Sequence, residues 1–311
     1  MKTEKKSLFE KNTAVIFGAM ICCLLWGSAF PFVKIGYRLL DLDASETASQ
    51  ILFAGIRFTI AGLMVILFGS ITQKKLMIPK KTELRPVMVV SLFQTIGQYI
   101  LYYIGLAHTS GVRGAIIIGT NVFVAILISS LLFRQEKLTM RKIIGSIVGF
   151  LGVILINVAG GSLGEGSFLK GDLLVFLCTF CYAFSSVFMK KYAATYDTVM
   201  ISGYQFFLGG ILMTVVGLLP GGRLYFADGR SWAVLLYLAF VSAAAYTIWS
   251  RMLKYNPVSK VAVYGFMNPV FGVILSAVLL KEGSALGLVS VIALVLVCAG
   301  IVIVNRENRR R

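Results

Sequence analysis

From residue 13 to residue 304 the chain alternates long apolar runs with short polar connections. The runs fall at 13–36, 49–71, 86–107, 111–133, 141–159, 171–191, 199–219, 231–252, 258–280 and 284–304. About 20 apolar residues in a helix cross the hydrocarbon of a bilayer, and each run approaches or exceeds that length. Lipid offers no partner to a free N–H or C=O, so each run must satisfy its backbone internally. The pattern predicts an all-α integral membrane fold of ten transmembrane helices. Its parts are a tail at 1–12, a five-span block at 13–159, a linker at 160–170, a second five-span block at 171–304 and a basic tail at 305–311.

Composition leads to the same class. Of 311 residues, 58% are hydrophobic and 14% charged, with a mean hydropathy of +0.86, too apolar for a soluble domain of this size. The start, MKTEKKSLFEK, resembles the basic region of a signal peptide. The apolar run behind it is too long for one and lacks a small-residue cleavage site, so it is expected to stay as the first span.

The net charge of +17 has no nucleic-acid-binding motif to serve. Topology accounts for it instead. Of 30 Lys and Arg, 22 fall in the two tails and in the connections after even-numbered runs. Arg38, Arg113, Lys170, Arg223, Arg230 and Lys281 fall on the opposite side, and Lys34 and Arg57 lie inside runs. The positive-inside rule then puts both termini in the cytoplasm of a cell-membrane protein.

All five cysteines sit inside runs, so the CTFC stretch at 178–181 reads as packing and no disulfide is expected. GGSLGEG at 160–166 imitates a phosphate loop without the βαβ context and reads as a linker. One histidine and no metal-ligand spacing give no metal, no cofactor and no enzyme. The partners left are a small-molecule solute and the bilayer.

The two blocks repeat one another. WGSAFPFVK (26–34) matches YAFSSVFMK (182–190), GIRFTIAG (55–62) matches GYQFFLGG (203–210), and VFVAILISSLLFRQE (122–136) falls without a gap on NPVFGVILSAVLLKE (268–282). Five spans is an odd number, so the second copy enters the bilayer from the other side. Secondary transporters use such inverted repeats, with the solute site between them near the midplane.

These stretches, with YYIGLAHTSGVRGAIIIGTNVFVAILISSLLFRQE and RMLKYNPVSKVAVYGFMNPVFGVILSAVLLKE, make the chain resemble the EamA-type ten-span branch of the drug/metabolite transporter superfamily over nearly all of residues 13–304. The resemblance implies a transporter of amino acids, other metabolites or drugs. Two departures stand out: Asn121, Val122 and Phe123 face Met267, Asn268 and Pro269 in the second copy, and Gln205 takes the place of Arg57.

Candidate binding groups are the polar residues at membrane depth, which are costly in lipid and therefore turn inward. Gln94, Gln98 and Tyr102 recur every four residues on one face of the third run. Their counterparts at constant offset are Phe240, Ala244 and Ile248. Polar and apolar walls together would suit an amphipathic solute; the same glutamines could equally form an interhelical hydrogen-bond ladder. Asn121, Tyr264 and Asn268 come next, then Tyr182, Ser185, Ser186 and Tyr246. In LLWGSAFPFVKIG (24–36), Trp26 and Ser28 are candidate lining, Gly27 a lining or packing position, Pro31 a bend and Lys34 a snorkelling residue. Arg57 reads as structural. Glu136 and Glu282 end their runs as anchors, gate elements or fallback proton carriers. Gly145 and Gly149 form a small-residue contact face, within the bundle or in a homodimer.

The function expected is export of a small amphipathic metabolite, with amino acids among the candidates, by alternating access. A multidrug exporter is the alternative, and a non-transporting receptor a further one. No acidic residue sits mid-run, so facilitated diffusion or exchange is expected rather than proton coupling.

Overall fold

The structure is a computed structural model and describes residues 12–134, 137–159, 170–255, 263–282 and 287–305. Among them there is no strand, and the helices fall into ten spans. These are α1 (Asn12–Leu39), α2 (Thr47–Gln73), α3 (Lys81–Ala107), α4 (Gly111–Leu132), α5 (Met140–Ala159), α6 (Asp172–Ala193), α7 (Thr198–Leu218), α8 (Gly229–Tyr255), α9 (Met267–Leu279) and α10 (Leu288–Asn305). A 3₁₀ turn, Val263–Phe266, leads into α9. Seven of the helices, α1 to α4 and α6 to α8, are long and apolar enough alone to cross a membrane, with α9 and α10 shorter apolar helices. The expectation of ten spans in an all-α membrane protein therefore holds.

Local chemistry sets several of the ends. The Ser110 hydroxyl accepts from the Arg113 N–H at 3.1 Å and caps α4. Asp197 accepts from Val199 at 2.8 Å and caps α7, and Asp228 accepts from the N–H groups of Arg230 and Ser231 where α8 begins. Such caps satisfy donors that the helix cannot. Lys74 closes α2 in a left-handed conformation, φ 50°, its N–H turned back to Ile71.

Two helices depart from regular winding. Ser91–Gly97 within α3 and Ile128–Leu132 within α4 are π-helical. A π-turn inserts a residue and rotates the downstream residues around the helix axis. By contrast α1 passes Pro31 as one helix over its whole length.

The helices pair in an ordered way: α2 lies along α7, α5 along α10, α1 between α8 and α9, and α6 between α3 and α4. Replacing each helix by the one five places on maps this set of pairings onto itself. The α2–α7 seam is drawn together by glycines seven apart in both helices. A Cβ on Gly55 would run into the Thr214 backbone, one on Gly62 into Phe207, and one on Gly210 into Thr59. Rising numbers in α2 meet falling numbers in α7, so the two run antiparallel. The same holds for α5 and α10, where a Cβ on Gly145 would lie 2.7 Å from the Gly300 carbonyl oxygen and one on Gly152 2.6 Å from that of Ala293. The Gly145/Gly149 face is thus spent inside the bundle on α10 and is not open to a second copy.

Outside the bundle, large apolar side chains such as Phe17, Leu67, Ile71, Val278 and Leu288 are exposed, the arrangement of a body whose solvent is lipid.

Candidate functional site

Within the bundle the helices bring aromatic rings together around Tyr246 of α8. Trp26 meets it edge-on at 5.5 Å between centroids and lies 5.1 Å from Trp249. Phe206 of α7 meets Tyr246 at 4.9 Å. Tyr246 also comes within hydrogen-bonding reach of Tyr99 and Gln94 on α3, and Tyr99 packs on Tyr102 at 6.1 Å and Phe58 at 4.1 Å. Tyr102 in turn packs edge-on against Phe30 of α1.

The bundle interior also holds polar atoms with nothing to bond. The Oε1 of Gln98 on α3 and the Oδ1 atoms of Asn121 on α4 and Asn268 on α9 are buried without a hydrogen-bond partner. An unsatisfied buried acceptor costs about 1–3 kcal/mol, so a group that supplies an N–H or O–H there would be bound favourably. Gln94 is instead partnered, since its side chain reaches Tyr246. The three-residue ladder on α3 is therefore split, with one rung joined and the next open.

Other sequence candidates are differently placed. Ser28 is buried and committed, its hydroxyl 2.7 Å from both the Leu25 carbonyl and the Tyr237 hydroxyl. Ser185 and Ser186 both turn back to the Tyr182 carbonyl at 2.8 Å, serving their own helix. Tyr264 lies in the 3₁₀ turn, packed like Trp26 and Trp249 against the buried cluster of Val15, Ala19 and Met252, and its carbonyl accepts from the Cys23 thiol at 3.4 Å. Gly27 is a packing notch: a Cβ there would fall 2.7 Å from Phe271 Cβ and 2.9 Å from the Gly272 nitrogen on α9. Glu136 lies outside the described residues.

Of the apolar wall expected from Phe240, Ala244 and Ile248, Phe240 alone turns away from the interior, for Ala244 is half-buried and Ile248 packs against the buried cluster of Cys22, Ala245 and Met252. Phe240 is 51% exposed on the lipid side, whereas Leu238, Ser242 and Ala245 are buried. The π-turn explains the difference, because α3 contains an inserted residue and a constant offset cannot match it to an α-helical α8.

Arg57 ties the hub to α8. Fully inside the protein, it donates from Nε to the Leu238 carbonyl at 3.0 Å and from Nη2 to the Ser242 hydroxyl at 2.8 Å, and also bonds the Tyr103 hydroxyl. Its guanidinium sits 4.6 Å from the Phe58 ring centroid. Neither sequence periodicity nor the repeat singled out Tyr99 or Tyr103. The cluster of three tyrosines at 99, 102 and 103 was the available signal.

A second polar constellation lies at the end of the bundle where α3 meets α4. Asp172, the first residue of α6, is buried and pairs with Arg113 and with the Thr109 hydroxyl. Glu282, after α9, accepts from the N–H groups of Gly111 and Val112 at 3.3 and 3.2 Å, bonding the first turn of α4. Both carboxylates belong to the second block of helices and both grip the first. A cavity of about 400 Å³ opens beside them, lined by Lys34, His108 and Ser110 as well as these groups. His108 titrates below the usual histidine range because of partial burial, then the charges of Lys170 and Lys34, so its ring is neutral at pH 7.

A multi-pass helical bundle with a polar, aromatic interior is an architecture that membrane transporters use. The sequence comparison makes that specific. The model of the EamA-like transporter family matches residues 13–158 and again 169–306, and the chain belongs to that family. It is 27% identical to an uncharacterized transporter, YvbV, of Bacillus subtilis, over 98% of this chain and 95% of that protein. It is 28% identical to an uncharacterized transporter of Archaeoglobus fulgidus (83% and 86%) and 23% identical to the uncharacterized inner membrane transporter YedA of Escherichia coli (93% and 90%). A solved crystal structure superposes with a TM-score of 0.64 at 16% identity over 94% of this chain and 98% of its own, a likeness of fold alone.

Proposed function

We propose that the protein carries a small amphipathic solute, an amino acid or a close relative, outward across the cytoplasmic membrane by alternating access. One observation carries the reading: the bundle interior holds both an aromatic hub and buried amide oxygens, at Gln98, Asn121 and Asn268, that lack donors. A solute with a greasy side and a donor end answers both features. Trp26, Gln94, Tyr102, Tyr182, Tyr246 and Tyr264 complete the lining in this reading, with Ser28 and Ser185 holding its helices in shape.

The mechanism rests on the two blocks acting as inverted repeats. Equivalent helices α2 and α7, and α5 and α10, run antiparallel in contact, as an inverted pair must. Rocking one block against the other would break the grip of Asp172 and Glu282 and open the α3–α4 end. Both termini are then cytoplasmic and that end faces outward, from the basic-residue split. Cysteines placed at Ser162 and Asn308 in a cysteine-free background should label from outside and inside respectively.

Among the described residues the acidic groups lie at helix ends or in connections, which supports exchange or facilitated diffusion. Proteoliposomes without a solute gradient should accumulate nothing under an imposed pH difference. Uphill uptake abolished by a protonophore and by Glu282→Gln would replace this reading with proton coupling. A lipophilic cation is the competing cargo, favoured by the tryptophan and tyrosine faces; cationic dyes that are transported and outcompete amino acids would decide for it.

A further inference from the structure

The cavity beside α4 is continuous in its lining with a smaller one of about 140 Å³, for both are bordered by Lys34 and Ala107. Around them the charges divide into committed and uncommitted groups. Asp172 is consumed by Arg113 and Thr109. Glu282 is occupied by two backbone amides. Neither hydrogen bond nor ion pair reaches Lys34 within the described residues, although it lines both cavities and lies in the fields of Glu282 and Arg38. Arg38 lines the smaller cavity, where no carboxylate of the described residues joins it.

We propose that this vestibule is a docking subsite for the carboxylate group of the solute, with Lys34 as the cation that receives it and Arg38 as support on the adjoining wall. The proposal deepens the transport reading and rests on it. A phosphate or sulfate would bring a second charge against Asp172 and Glu282, so the subsite selects a carboxylate. Glu282 opposite Lys34 also keeps an α-ammonium on the same solute from being repelled, which suits an amino acid. Lys34 stands near the outer end of α1, five residues before Leu39 and eight residues from Trp26 along the same helix, so a solute released here has left the hub by about 12 Å of helix rise.

The test uses a pair of probes that differ only in the charged group, 3-phenylpropanoate and 3-phenylpropanamide, titrated calorimetrically into the detergent-purified full chain. The acid should bind about tenfold tighter than the amide, the scale of one charge-assisted contact. Lys34→Gln should remove that preference and leave the amide unchanged, while Lys34→Arg keeps it. Since Lys34 makes no internal bond, its variants should unfold at the wild-type temperature, and Arg38→Gln gives a second reading with a smaller loss. Equal binding of acid and amide, no binding of the acid up to about 10 mM, or a preference that survives Lys34→Gln overturns the proposal. Transport without any carboxylate preference would remove this subsite and leave the transporter reading standing, whereas carboxylate binding without transport does the reverse.

Discussion

The α2–α7 seam and the hub around Tyr246 are both buried, and they are built from opposite materials. The seam is backbone against backbone, with glycines of one helix facing main-chain atoms of the other and no room for a Cβ. The hub is side chain against side chain, with rings meeting edge-on or tilted at 4.1 to 6.1 Å, and the bundle interior leaves the amide oxygens of Gln98, Asn121 and Asn268 open. At the seam the helices meet through backbone, with few side chains to repack. The open amide oxygens are hydrogen-bonding capacity that the proposed solute would fill. In lipid, where apolar surface gains little by leaving the solvent, close packing holds helices together, so the seam serves as scaffold, and in the proposed transport reading the hub is the site.

The largest predicted effect breaks the scaffold. Gly62→Leu or Gly210→Leu puts a side chain where the facing backbone already lies, an overpacking with no flexible neighbour to yield. The cost should reach or exceed about 3 kcal/mol, seen as loss of monodisperse protein on size exclusion. Next comes Arg57→Leu, which strands the Tyr103 hydroxyl, the Ser242 hydroxyl and the Leu238 carbonyl together. Each orphaned group costs about 1 kcal/mol, so the thermal midpoint should fall by several degrees while the oligomeric profile holds. Tyr246→Phe should then reduce transport severalfold with a loss below about 1 kcal/mol, because it removes one hydroxyl and keeps the ring packing. A drop in stability without a drop in transport would move Tyr246 to the scaffold side.

The smallest effect concerns pH. His108 titrates below its ordinary value, held neutral first by burial and then by Lys170 and Lys34. It faces a vestibule that also holds Arg113, Asp172 and Glu282. Lowering the pH from about 7.5 to about 5.5 begins to protonate it and adds a cation, while a carboxylate probe with a pKa of about 4 to 5 stays ionised. Affinity for 3-phenylpropanoate should therefore rise on acidification, by about twofold to threefold, and His108→Asn should flatten the profile. A fall in affinity on acidification would mean that a protonating carboxylate, Asp172 or Glu282, governs the vestibule instead.

Much of this architecture is written in the residues. Ten apolar runs became ten helices within a few residues at most ends, because span length is dictated by bilayer thickness and the ends by charge. The match of GIRFTIAG to GYQFFLGG marked the repeat without indicating that the two helices touch, although its glycines, Gly55, Gly62, Gly203 and Gly210, are the ones that line the seam. Reading failed where one helix does not obey the α period. The π-turn at Ser91–Gly97 has no residue signature in SLFQTIG that sets it apart from α-helix, and it turned the expected wall of Phe240 out to lipid. The vestibule was missed for a different reason. Lys34, Asp172 and Glu282 come from three helix ends far apart in the chain, and each read alone is an ordinary interfacial charge.

The direct test of the division between scaffold and site is Gln98→Leu, measured for amino-acid uptake in proteoliposomes and for thermal unfolding side by side. Its amide oxygen is buried without a partner, so removing it should relieve a cost of about 1 kcal/mol and leave the unfolding temperature unchanged or raised. Transport should collapse nonetheless, because the acceptor offered to the solute is gone. Uptake at the wild-type rate, or a collapse matched by a fall in unfolding temperature, would contradict the account and return Gln98 to the structural ladder.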